Sequence, residues 1–171
     1  MKEILTLDQR SFDPQADTTN RPHYAVRRAA RAVVTDADGA VALLYAQTYD
    51  YYKLPGGGIE ANEEPLDALE REIKEELGCE IGNILELGEV IEWRDFWAMK
   101  QVSYCYQATV RGAKGEPSFT DDEIAEGFRI VWVPSLIEAI TYVEQAASST
   151  DLSVKFMATR DTAILKAVSM R

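Results

Sequence analysis

The sequence predicts an α+β fold: an α/β/α sandwich in which one mixed β-sheet is flanked by helices. Strand-like and helix-like runs are interspersed along the chain. Several neighbouring strand pairs are close enough to be joined as hairpins, which argues against a doubly wound parallel sheet. The clearest helix carries a single apolar stripe, so it needs one apolar surface to cover it.

Taken in order, 1–23 reads as an N-terminal extension or edge strand and 24–171 as the main domain. Ile4, Leu5 and Leu7 suit a short strand, and the polar stretch 11–22, with two prolines, reads as a loop. Residues 29–35 and 40–46 form two apolar strands around the turn at Asp38-Gly39. A short extended piece, 52–54, stops at Pro55. The spacing then predicts a helix over 65–77, with Pro65 in its first turn, Asn62 or Glu63 as cap, Gly78 as stop, and Leu66, Leu69, Ile73 and Leu77 as its buried stripe. Strands follow at 84–92, 102–110 and 128–133. A helix runs from Pro134 to about Ala146, and a last one opens at Asp151 or Ser153 and ends near Val168.

A chain of 171 residues fits one domain that buries roughly two-thirds of its unfolded surface. Its net charge of −11 disfavours nonspecific binding to nucleic acid or an acidic membrane, both of which need a positive face. An acidic protein handling an acidic substrate also needs a cation between the two. The two cysteines, Cys79 and Cys105, form no CxxC pair and read as reduced thiols. With no signal-like apolar stretch at Met1 and no run of membrane-spanning length, the expected location is the cytoplasm.

The chemistry concentrates in 57–79, GGIEANEEPLDALEREIKEELGC. Glu72, Glu75 and Glu76 fall within about one helical turn and fan across one side of the helix, where like charges repel. Arg71 and Lys74 offset this a little. A divalent cation offsets it far more, and hard carboxylate oxygens suit magnesium, with manganese the alternative. The preceding Gly56-Gly57-Gly58 run lets backbone turn sharply and approach a ligand closely. Together these suit a polyphosphate bridged to carboxylates by metal.

The spacing resembles the Nudix box, G-x5-E-x7-R-E-U-x-E-E-x-G-U, where U is a bulky aliphatic residue. Gly57, Glu63, Arg71, Glu72, Ile73, Glu75, Glu76 and Gly78 match, and a chance match of the seven fixed residue types at one register is on the order of 10⁻⁸. Cys79 replaces the final aliphatic residue, a mild departure because a buried thiol behaves as a small hydrophobe. The entry run 54–58 and the strand-to-helix run 130–134 also resemble that family. The resemblance implies a Nudix fold and metal-assisted hydrolysis of a phosphoanhydride bond, in a nucleoside diphosphate linked to another moiety or in a nucleoside triphosphate. It implies Glu72, Glu75, Glu76 and the Gly57 carbonyl as metal ligands, Arg71 as the residue that orients the glutamates, and Glu63 as support for the loop or as a contact to a metal through water. The base is Glu72 or a residue outside the box, for which Glu123 and Glu126 are candidates.

Arg27, Arg31 and Lys53 are candidate phosphate contacts. The aromatic run around Trp93 and Phe96, and the cluster Tyr49, Tyr51 and Tyr52, are candidate base-stacking surfaces. The expected partner is a small nucleotide, and the aromatics are compatible with a homodimer. Two other readings remain open: a nucleotide-binding module without turnover, and an enzyme like the isopentenyl diphosphate isomerases. The retained glutamates argue against the first and the intact box against the second.

Overall fold

Strand β2 (Ala25–Thr35) is the spine of the sheet. Its even-numbered residues Ala30, Ala32 and Val34 face one apolar core, and Val33 faces a second core across the sheet, as the two-residue period of a strand requires. The computed structural model describes residues 1–169.

The other strands are β1 (Glu3–Asp8), β3 (Val41–Ala46), β4 (Tyr51–Lys53), β5 (Glu80–Arg94), β6 (Met99–Arg111) and β7 (Phe128–Val133). The order is β1-β5-β6-β2-β3-β4, with β7 on β3. The β1–β5 and β2–β6 pairs are parallel and the rest antiparallel, so the sheet is mixed. Helix α1 (Pro65–Leu77) covers one face with Ala68, Leu69, Ile73 and Leu77. Helices α3 (Leu136–Glu144) and α4 (Leu152–Ser169) cover the other. The two cysteines are free and buried, Cys79 in the first core and Cys105 in the second.

The details correct several expectations. Leu66 is exposed and Ala68 takes its place in the stripe. Glu64, not Asn62 or Glu63, is the N-cap of α1, and it makes no side-chain cap bond. Helix α3 starts two residues after Pro134, because Ser135 is extended and its hydroxyl accepts from the Glu138 N–H at 3.2 Å. It ends at Glu144, followed by a 3₁₀ turn over Gln145–Ser148. Asp151 caps α4 by accepting from the Ser153 and Val154 N–H groups at 2.7 and 3.1 Å. Strands β5 and β6 outrun 84–92 and 102–110 because cross-strand pairing continues through polar residues and past two bulges in β5.

The feature that positions the site is a split in the sheet. Strands β2 and β3 pair only at Thr35 and Val41. Beyond that pair, the run after β4 fills the gap along the edge of β2. Ala32 donates to the Pro55 carbonyl at 3.2 Å, Ala30 to Gly57 at 3.0 Å, and Ile59 to Arg28 at 3.0 Å. The glycine run is therefore fixed like a strand, and its other edge is met by side chains of Arg31, Arg71 and Glu76.

Candidate active site

The glycine run is held by close approach on both sides. Gly56 sits at φ +119°, and a Cβ there would lie 2.2 Å from the Ala30 carbonyl oxygen, so only glycine fits. A Cβ on Gly57 would meet the Glu72 carboxylate at 2.4 Å. Helix α1 thus brings Glu72 directly against the loop backbone.

The three box glutamates differ in setting. Glu76 is buried, with 3% of its surface exposed. One oxygen accepts from the Gly56 N–H at 2.6 Å and the other from Lys53 Nζ at 3.3 Å. Burial pushes its carboxyl above the usual range, while Lys53 and the Gly56 N–H pull it back. Glu72 is 16% exposed and Glu75 is 48% exposed. Arg71 ties this edge of the site together. It donates to Glu63 at 2.9 and 3.0 Å, to Glu72 at 2.9 Å, to Glu75 at 3.3 Å and to the Gly58 carbonyl at 3.0 Å. Its hydrogen bonds hold the Glu63 carboxyl at about 2.

Glu72, Glu75 and Glu76 line a cleft of about 390 Å³ with Glu60, Arg71, Ser118, Thr120 and Glu123. Glu123 is drawn into this cleft from a short helix α2 (Asp121–Ala125), in a stretch whose sequence reads as loop. Thr120 and Glu123 form a reciprocal capping box, so the Glu123 carboxylate accepts from the Thr120 N–H at 2.9 Å and from its hydroxyl at 3.0 Å. The Thr-x-x-Glu spacing is the signal in the sequence for that cap. Among the described residues no three acidic, His or Cys side chains already converge in metal-holding geometry. Arg71 and Lys53 neutralise the glutamates separately instead. The donor set nonetheless fits a hard divalent cation: several carboxylates border one cleft, one of them is buried against a backbone N–H, and the loop approaches too closely for any side chain. The Gly57 carbonyl already accepts from Ala30 and keeps a second lone pair.

The other predicted contacts separate. Arg27 and Arg31 share a face of β2, the one covered by α4. Arg27 is exposed, donates to Gln101 at 2.6 Å and lies beside Gly58. Arg31 is buried and donates to the Gly56 carbonyl at 2.9 Å, so it props the loop from beneath. Burial and the neighbouring Arg160 lower its pKa to about 10. Lys53 serves Glu76 and lies over the Phe128 ring at 4.5 Å. Trp93 and Phe96 do not line the acidic cleft. The Trp93 ring is engaged by Arg21 and Lys100 at 5.1 and 5.0 Å, and Phe96 is 77% exposed against Trp97.

Sequence reasoning missed Asp161. It is fully buried on α4 and accepts from the Leu54 N–H at 2.9 Å and from Arg160 Nε at 2.7 Å. Arg160 also lies 3.6 Å from buried Glu92. The adjacent opposite charges Arg160 and Asp161 within the apolar spacing of the final helix (Phe156, Ile164, Leu165) were the available signal, since such charges are seldom buried unless paired.

The molecule is a mixed sheet between helices, with a glycine run closed over a glutamate-bearing helix. The chain belongs to the NUDIX domain family, whose profile matches residues 25–148. It is 39% identical over 61 residues to an RNA pyrophosphohydrolase of Halorhodospira halophila (strain DSM 244 / SL1), covering 36% of this chain and 34% of that protein. The chain thus aligns with about a third of that curated relative. A MutT protein from Bacillus halodurans superposes with TM-score 0.53 at 25% identity, over 68% of this chain and 72% of that one. A MutT protein from Methanosarcina mazei Go1 gives 0.54 at 17% identity, over 86% and 98%, a likeness of fold alone. Among the described residues no helix is long and apolar enough to cross a membrane.

Proposed function

We propose that this protein is a magnesium-dependent hydrolase that cleaves a phosphoanhydride bond in a nucleoside diphosphate linked to another moiety, or in a nucleoside triphosphate. The observation that carries the reading is the contact of Glu72 and Glu76 with the Gly56-Gly57 backbone at the edge of one acidic cleft. The curated relative's name, RNA pyrophosphohydrolase, supports the bond type and adds the phosphorylated end of an RNA as one source of it.

Glu72, Glu75, Glu76 and the Gly57 carbonyl would hold magnesium, with manganese the alternative. The chemistry a bound ion supplies there is charge neutralisation at phosphate oxygens and a lowered pKa for coordinated water. Arg27, exposed beside Gly58, is placed to bind a phosphate of the substrate. Lys53, bonded to the buried Glu76, favours the charged form of that carboxylate against the effect of burial. Glu72 or Glu123 takes the proton from attacking water; Glu123 holds its cap on Thr120 through Oε2 alone, which leaves Oε1 to accept that proton. An acidic chain of this kind works on small anions in the cytoplasm through such an ion, not through a positive protein face.

The test is release of phosphate or mononucleotide from a panel of nucleoside-diphosphate compounds. EDTA should abolish release, magnesium or manganese should restore it, and Glu76→Gln should remove most turnover. That substitution leaves Lys53 facing an amide, at a cost of about 1–3 kcal/mol in urea unfolding. No turnover of any compound with either metal, or an active Glu76→Gln protein, would sink the reading.

A further inference from the structure

A second pocket, of about 260 Å³, opens on the other side of α2. Tyr49, Tyr51, Glu126, Asp151, Ser153, Val154 and Met157 line it. The Tyr49 and Tyr51 rings are near parallel, with centroids 6.2 Å apart and an interplanar angle of 30°. Tyr49 is half exposed at the mouth, whereas Tyr51 is buried.

Two elements join this pocket to the acidic cleft. On β4, Tyr51 and Lys53 share a face, roughly 7 Å apart at about 3.3 Å per residue, and Lys53 bonds Glu76. On the α2 side, Glu123 borders the cleft and Glu126, three residues on, borders the pocket. The Thr48 N–H donates to the Glu126 carbonyl at 3.0 Å, which fixes the tyrosine loop against α2.

We infer that the Tyr49–Tyr51 pocket seats an amino-bearing aromatic ring, the base of the nucleotide whose diphosphate lies in the Glu72–Glu76 cleft. This rests on the hydrolase reading for the second half of the ligand only. Tyrosine faces offer stacking to any base. Val154 and Met157 supply an apolar wall, and thioethers pack well on aromatic rings. The polar groups then choose among bases. Glu126 and Asp151 are carboxylates, which only accept hydrogen bonds. Asp151 spends one oxygen on the cap of α4, while the Glu126 carboxylate makes no hydrogen bond or ion pair among the described residues. Two acceptors favour the exocyclic amino groups of adenine, guanine or cytosine. Uracil presents a carbonyl on each side of its single ring N–H, which the carboxylates repel. The same negative charge turns the phosphates away, toward Arg27 and the metal-holding end, so the ligand has one orientation.

The test uses phosphate-free probes. Adenosine, guanosine, cytidine and uridine are titrated into the wild-type protein while the ¹³C-methyl resonance of Met157 is followed. The three amino-bearing nucleosides should shift it, with uridine several-fold weaker. Tyr49→Ala, a half-exposed position whose loss leaves the core intact, should weaken their binding roughly 5- to 150-fold, the range measured for a lost stacking partner. Glu126→Gln should narrow the gap between cytidine and uridine. No Met157 response to any nucleoside, or undiminished binding to Tyr49→Ala, would overturn the pocket. Turnover of phosphate compounds without a Met157 response removes the base pocket and leaves the hydrolase; a Met157 response without any turnover does the reverse.

Discussion

Gly56 and Gly57 are adjacent, yet a methyl group on each would meet different neighbours. At Gly56 the obstacle is backbone, the Ala30 carbonyl, and φ is +119°. Neither can yield, so Gly56→Ala should cost more than the ~1–3 kcal/mol of a strained dihedral alone. At Gly57 the obstacle is the far end of the Glu72 side chain, which can swing away. Gly57→Ala should therefore melt near the wild-type temperature while losing at least a factor of about ten in turnover, because the carboxylate has been pushed off the loop. Calorimetry and a rate assay on the two variants separate these outcomes; equal activity in Gly57→Ala and wild type would refute the role given to Glu72. Sequence singled out both glycines and the box glutamates as candidates, since their spacing is local. It could not grade the glutamates, because burial of Glu76 and exposure of Glu75 depend on what the loop and β2 place against the helix.

Among the elements, the 3.6-residue period located α1 at its observed ends, with Gly78 in the left-handed conformation at its C-cap. Edge strand β1 and the polar stretch after it are held by a different device. Arg21 donates to both oxygens of Asp8 and both of Asp95, each at 2.7–2.8 Å, and Tyr24 adds a bond to Asp95. The hydrogen bond from Arg21 holds the Asp8 carboxyl below its usual 3.8. A depressed carboxylate contributes stability that is complete above the ordinary value and drains away as pH falls through the lower folded value. The melting temperature of Arg21→Ala should thus lie below wild type at neutral pH, and the gap should narrow as pH drops beneath 3.8. A gap that stays constant into acid would show that the strap stabilises by packing alone. No sequence rule pairs Arg21 with Asp95, which lies 74 positions away.

Across the whole molecule, the loop that receives Glu76 is built by two distant segments. Arg31 on β2 holds the Gly56 carbonyl, Ala30 and Ala32 bond its other peptides, and Asp161 on α4 accepts from Leu54 across 107 positions. Asp161→Asn keeps the shape but leaves Arg160 with only the more distant Glu92. Breaking a buried pair in this way should lower the unfolding free energy by about 3–5 kcal/mol. Under the proposed function it should also raise the magnesium concentration needed for half-maximal rate. Full stability and unchanged metal demand in Asp161→Asn would detach α4 from the site.

The sequence by itself determined the mixed sandwich, helix α1 and the family-defining box, because each rests on short-range periodicity or spacing. Only tertiary structure decided that Arg31 supports the loop instead of facing solvent, that Glu123 borders the box glutamates, that Trp93 is taken up by Arg21 and Lys100, and that two tyrosines open a pocket beside the cleft. Those outcomes depend on where the sheet splits and which helix lies over each face. Such facts come from the packing of segments far apart in the chain, and no local pattern of residues encodes them.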